Sequence, residues 1–282
     1  MTPKTLKRVK RVTYHTVMQL LLLGVGILYF IPLLWMIATS LKTPAEYTAA
    51  NTFFPAIPQW QNYPEAIKAI NFWRYLLNSL IVAGLATLGT VISCSLVSYS
   101  FARLRWPGRD AFFMVLLATM MLPAQVLQIP TYMLYRNFGW LDTFLPLTVP
   151  YFFNAGAFNI FLLRQFYRGV PMELSEAAKI DGCSHIRTCF SIVMPLCKPI
   201  IAAIAIFAFM GSWNDFMNPL IYLTSSENFT LSLGLREFQQ QSGSQYNYMM
   251  VVSLISMLPT LILFFSFQKY FVGGMTLGGV KE

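Results

Sequence analysis

The feature that most limits what this chain can fold into is the length of its apolar runs. Six stretches, at about 16–40, 72–101, 111–134, 143–163, 200–223 and 249–272, are long enough for the roughly 20 residues of helix that cross a bilayer. Of the 282 residues 56% are hydrophobic and only 11% are charged, against roughly 25% charged in an ordinary soluble domain. A water-soluble globule of this size cannot hide so much apolar surface. The expected fold class is therefore an all-α integral membrane protein with six transmembrane helices.

Six crossings put both ends of the chain on one side, and the basic residues say which side that is. Of the twenty Lys and Arg, those at 4, 7, 8, 10, 11, 103, 105, 109, 164, 168, 179, 187, 198, 269 and 281 fall on the side of the termini. Only those at 42, 68, 74, 136 and 236 fall on the other. The positive-inside rule makes the first side cytoplasmic. The net charge of +9 is thus a matter of topology more than of an acidic partner. Residues 1–15 hold Lys4, Lys7, Arg8, Lys10 and Arg11 without an acid. They could pass for the start of a signal peptide, but the run behind them is too long for one and no small-residue cleavage site closes it. A retained basic segment against anionic lipid is expected. The four cysteines (94, 183, 189 and 197) have no metal-ligand spacing and fall in or on the cytoplasmic side of the spans, so free thiols are expected. His15 and His185 are isolated and read as interfacial polar residues.

The domain organisation expected is a basic N-terminus over 1–15, a six-span domain over 16–272, and a cytoplasmic tail over 273–282. Residues 41–72, with four prolines and several aromatics, read as an extracytoplasmic segment along the membrane face. Asn78 and Ser79 read as capping or packing residues. The third run contains MLPAQVLQIP, whose Pro123 and Pro130 free backbone carbonyls that neighbours must satisfy.

Between the fourth and fifth runs lies a wet stretch, PMELSEAAKIDGCSHIRTCFSIVMPLCKP (171–199). It reads as two short helices. Pro171 suits a first helical position and Glu173 and Glu176 complement the helix dipole. Gly182 supplies a left-handed stop, and Ser184 caps the next helix. Leu174, Ala177, Ala178 and Ile180 keep the first helix small and smooth, as suits insertion into a groove on a soluble partner. The alternative is a plain connector between spans. Inside the fifth run, Asp215 sits in GSWNDFMNPL beside Trp213, Asn214 and Asn218. An ionisable residue at membrane depth marks either a solute pathway, with Trp213 stacking on a sugar face, or a polar anchor between helices. Gln125 and Asn154 carry the same two readings.

No G-x-x-x-x-G-K-[ST] phosphate loop, HExxH or nucleophile elbow occurs. The chain is expected to be no enzyme and to bind no metal or cofactor of its own. A self-contained proton-coupled carrier would need an ionisable relay, for which Asp215 alone is poor.

The spacing of Glu176-Ala177-Ala178, then Asp181-Gly182, Ile192 and Pro195 resembles the cytoplasmic "EAA" loop of ABC-importer permeases, with Met194 where that pattern has Leu. FFPAIPQWQNY, SYSFARLRWPGRD, MLPAQVLQIPTYMLYRNFGWLDT and FVGGMTLGGVKE are similar to stretches of the MalG-type carbohydrate permeases, so the resemblance runs from about residue 30 to the end. It implies a bacterial inner-membrane subunit, with both termini cytoplasmic, that imports a di- or oligosaccharide; a glycerol phosphate or polyol is the alternative solute. It implies a second, MalF-like permease, two cytosolic subunits that hold ATP and Mg, and an extracytoplasmic solute-binding protein. The loop over 166–199, through Glu176, Ala177, Ala178, Asp181, Gly182, Ile192 and Pro195, would couple to the ATP-binding subunits, and Lys281 in the tail would reach their interface.

Overall fold

The structure, a computed structural model, describes residues 3–49, 52–240 and 245–277, with side chains for 13–49, 52–239 and 245–268. Every regular element among them is helical. The principal helices are α1 (Pro3–Ser40), α2 (Phe72–Arg103), α3 (Ala124–Asn137), α4 (Ala157–Gly169), α5 (Glu173–Ile180), α6 (Lys198–Trp213), α7 (Met217–Tyr222) and α8 (Tyr246–Leu277). Four segments are long and apolar enough to cross a membrane unaided: Thr13–Ser40, Phe72–Arg103, Leu145–Gly169 and Tyr246–Gln268. Two more are bent pairs, so the count reaches six only if each pair is one span.

At those pairs the chain turns by more than a kink. The third run bends by 99° between Arg109–Met121 and α3, because Pro123 takes an extended ψ of 131° that no helix continues through. The fifth run joins His185–Leu196 to α6 at 94°. It then stops at Trp213 and resumes only at Met217, so Asp215 lies on a non-helical link rather than within a helix. The fourth run is interrupted at 153–156 before α4. The tail from 278 onward, with Lys281, lies outside the described residues.

The chain divides into two compact units, Met1–Ala69 with Glu237–Ile255, and Ile70–Arg236 with Ser256–Glu282. In the first unit the apolar window of α1 is wholly exposed. The turn after it is fixed by Asn62, whose Nδ2 donates to the carbonyls of Ser40 at 2.8 Å and Lys42 at 3.0 Å. Tyr248 donates its hydroxyl to Glu65 in the same unit.

In the second unit α2 is the central element, packed against α4, α6 and the turn Val149–Phe152. Its buried face carries Tyr75, Ser79, Val82, Ala86, Gly89 and Ser93, alternately three and four residues apart, which is one stripe of a helix. Mostly small side chains there let neighbouring backbones come close. A Cβ at Gly89 would stand 2.9 Å from the backbone nitrogen of Phe152. Hydroxyls of the stripe, with Asn78 and Ser98 beside it, serve the interrupted backbone around them. Ser93 donates to Tyr151 O at 2.9 Å and Ser98 to Ile160 O at 3.1 Å. Ser79 accepts from Leu231 N at 2.7 Å, and Asn78 donates to both Glu227 O and Phe229 O at 2.9 Å. Cys94, Cys189 and Cys197 are free and buried, and Cys189 Sγ donates to Ser95 O at 3.6 Å.

At one end of this unit the loop after α3 is bolted to the loop after α7 by Asp142, which adopts a left-handed φ of 58°. Its carboxylate accepts from Ser225 Oγ at 2.5 Å, Ser225 N at 2.9 Å and Thr224 N at 3.0 Å. Its own N–H donates to Tyr222 O at 2.8 Å. The Ser225 hydroxyl, then the Ser225 and Thr224 amides, hold this carboxyl well below the ordinary 3.8.

Two predictions follow from this packing. Gly89→Val should destabilise the protein by about 1–3 kcal/mol through overpacking, read as a lowered thermal midpoint in detergent. Gly84→Ala, where a Cβ meets nothing within 4 Å, should leave that midpoint unchanged. A depressed native pKa means that Asp142 stabilises the fold in full above the unfolded carboxyl pKa and loses this only as pH falls through the lower native value. Asp142→Ala should therefore cost about 1–2 kcal/mol at pH 7, and the gap from the parent should shrink steadily on acidification below pH about 4.

Candidate functional site

Three of the helix interruptions in the second unit converge on one cavity of about 440 Å³. The bend at Pro123 starts α3 afresh, so that Ala124, Gln128, Thr131 and Tyr135 recur along one face of it and line the cavity together with Gln125. The second interruption is set by Gly156, at a φ of +79° that disfavours any side chain. The Oδ1 of Asn154 accepts from Gly156 N at 3.1 Å and holds that turn, which places Asn154 on the lining. The third is the link after α6. There Asp215 accepts from Asn218 N at 3.1 Å and from Asn218 Nδ2 at 2.7 Å, while its carbonyl accepts from Ser232 Oγ at 2.6 Å. A second cavity of about 360 Å³ shares Tyr151 and Asn154 with the first and continues past Asn159 and Ser212.

Gln125, Asn154 and Asp215, far apart in sequence, thus line one cavity. Trp213 and Asn214 do not join them. The Trp213 ring is 5% exposed, lies parallel to Phe209 at 5.5 Å, and donates its N–H to Ser256 O at 3.0 Å. Of the two readings open at this position, this burial and hydrogen bond favour packing between helices over stacking on a solute. Asn214 closes the helix end by donating to Met210 O at 2.8 Å and is absent from the lining. Sequence reasoning missed Tyr151, Thr131, Tyr135 and Tyr222, all on the lining. The period of 124, 128, 131 and 135 carried a signal for two of them.

The opposite end of α2 holds the stretch after α4. Helix α5 begins at Glu173, two residues later than the proline suggested. Its entry is clamped by Arg103, 6% exposed, whose guanidinium donates to Val170 O at 2.6 Å and to Pro171 O at 3.3 Å. Gly182, at a φ of +76°, ends the helix, with Cys183 N bonded back to Ala178 O at 2.9 Å. Ser184 accepts from Arg187 N at 3.3 Å and starts the next short helix. Ala178 is 3% exposed. Its small side chain seats α5 against its own chain and cannot lie on an outer docking face, another correction. Glu176, Ala177, Asp181, Gly182 and Pro195 are exposed, and Ile192 is half-buried in the π-helical turn Cys189–Val193. Ile180 is 87% exposed, and Leu174 and Ile186 are exposed as well. A cavity of about 550 Å³ separates α5 from the turn after α2, with Arg105, Lys179 and His185 on its walls.

The chain has known relatives. A family model described as "binding-protein-dependent transport system inner membrane component" matches residues 92–277. The arabinooligosaccharides transport system permease protein AraQ of Bacillus subtilis is 31% identical over 272 residues, covering 95% of this chain and 96% of AraQ. The diacetylchitobiose uptake system permease protein DasC of Streptomyces coelicolor is 33% identical over 260 residues, 92% of this chain and 94% of DasC. The sn-glycerol-3-phosphate transport system permease protein UgpE of Escherichia coli is 32% identical over 264 residues, 91% and 93% of the two chains. Among solved structures, a bacterial ABC transporter involved in the import of the acidic polysaccharide alginate superposes with a TM-score of 0.80 at 22% identity, covering 94% of this chain and 98% of that one. That likeness extends the agreement to the fold. A helical, multi-pass chain with this match over most of its length belongs to the binding-protein-dependent transport system inner membrane components.

Proposed function

We propose that this chain is the solute-translocating subunit of an ATP-driven importer for a di- or oligosaccharide. Its partners are a second, related permease, two cytosolic subunits that bind and hydrolyse ATP with Mg, and an extracytoplasmic solute-binding protein. The names of AraQ and DasC support a saccharide, and a neighbour described in complex with an alginate-bound periplasmic protein supports the external partner. The skew of Lys and Arg supports cytosolic termini and a cytosolic α5.

One observation carries the coupling reading: apolar Leu174, Ile180 and Ile186 stand exposed on a polar segment that is otherwise rigidly held. Exposed apolar side chains on a short helix suit a groove in another protein. With α5 in such a groove, closure of the ATP-bound subunits would push on it. The Arg103 clamp ties the entry of α5 to the end of α2, and the Cys189–Ser95 contact ties its exit to the same helix. Displacement of α5 would therefore be passed to α2 and, through the bend at 197, to α6. Those two helices flank the turns that shape the cavity. Access to the cavity from one side or the other would then follow the state of the ATP-binding subunits.

Ile180→Asp is expected to lower ATP-dependent sugar uptake at least tenfold and to abolish co-purification of the ATP-hydrolysing subunits, with membrane insertion unchanged. Gly182→Val forces a branched side chain into a left-handed backbone, and should lower uptake while ATP hydrolysis continues. Wild-type transport by both variants would defeat the assignment of α5 as the coupling element.

A further inference from the structure

We propose that the cavity around Asp215 admits uncharged saccharides and discriminates against those bearing a carboxylate, sulfate or phosphate. The inference rests on the importer reading and goes beyond it, because the names of relatives cover neutral oligosaccharides and glycerol phosphate alike.

The argument is one of charge and hydrogen-bond type. Among the described residues, Asp215 is the one lining the cavity that bears a formal charge, and neither Lys nor Arg lines it or the adjoining cavity. The remaining polar lining is amide and hydroxyl, Gln125, Gln128, Asn154, Asn218 and Tyr151 among it. Amides and phenols both donate and accept, as sugar hydroxyls do. A bound carboxylate or phosphate instead asks for donors alone, above all from Arg or Lys. The first turn of α3 lies on the same wall through Ala124 and Gln125. A helix N-terminus brings roughly half a positive charge, less than the full negative charge of Asp215. The N-terminus of α7 is already occupied, since Asn218 N donates to the Asp215 carboxylate. What this chain itself contributes to the field on a solute in this space is therefore negative.

The test uses the complete importer with its solute-binding protein in proteoliposomes. Uptake of cello-oligosaccharides is compared with that of the same chains ending in a glucuronic acid, for wild type, Asp215→Asn and Asp215→Lys. The binding protein is common to all three, so the change in the anionic-to-neutral ratio between them reads the cavity alone. Wild type is expected to favour the neutral chain at least tenfold. The ratio should rise about fivefold in Asp215→Asn and further in Asp215→Lys. A ratio that the substitutions leave unchanged would overturn the charge preference and leave the importer reading intact. Failure of any saccharide to accumulate with ATP would instead overturn the importer reading.

Discussion

The structure depends on hydrogen bonds from one face of α2 to backbone that its neighbours leave unpaired. In hydrocarbon an unsatisfied carbonyl or amide costs several kcal/mol, so a bundle with interrupted helices needs donors and acceptors from elsewhere. Asn78, Ser79, Ser93 and Ser98 are distributed along α2 and meet partners in the loop 227–231, the turn 149–152 and helix α4. The small residues between them, Gly89 above all, bring the backbones within reach. Without that stripe, the breaks that form the cavity would be open polar seams in an apolar medium.

How much of this was legible in the sequence divides along the same physical line. Hydropathy reports how apolar a stretch is, so the long unbroken helices were legible, as 72–101 against Phe72–Arg103 shows, whereas the fifth run, expected over 200–223, ends its long helix at Trp213. It is blind to direction. A run that turns by 99° at Pro123 has the same hydropathy as a straight one, and the proline was read as a kink that neighbours absorb rather than as a corner. The local chemistry of 171–199 was readable because caps and stops are short-range. Gly182 and Ser184 do what their residue types suggest, while the seat of the helix, made by Arg103 from 67 residues away, left no local trace.

The candidate pathway shows the same limit from the other side. Gln125, Asn154 and Asp215 stood out as polar residues in apolar surroundings, and the fold brings them together. Trp213 carried two readings in the sequence, because an indole next to an acid suits a sugar platform as well as an anchor between helices; its N–H, committed to Ser256 O, favours the second. Ala178 was misread because a motif gives a residue's place along a helix but not the side it faces. Tyr151 and Tyr222 were invisible, since tyrosines are common in membrane chains and nothing nearby in sequence marks these two.

That the walls of the cavity are corners of main chain has a consequence for how such a chain diverges. Pro123, Gly156 and the link after Trp213 set the curvature of the walls through backbone conformation, largely independent of which side chains project from them. Residues along the open face of α3 can then be exchanged without collapsing the chamber, as furniture can be changed in a room whose beams stay put, whereas Asn154, which holds its turn, is one of the beams. One scaffold of this kind is open to repeated retuning toward new cargo by a handful of substitutions, and the scaffold's own folding imposes little veto on them.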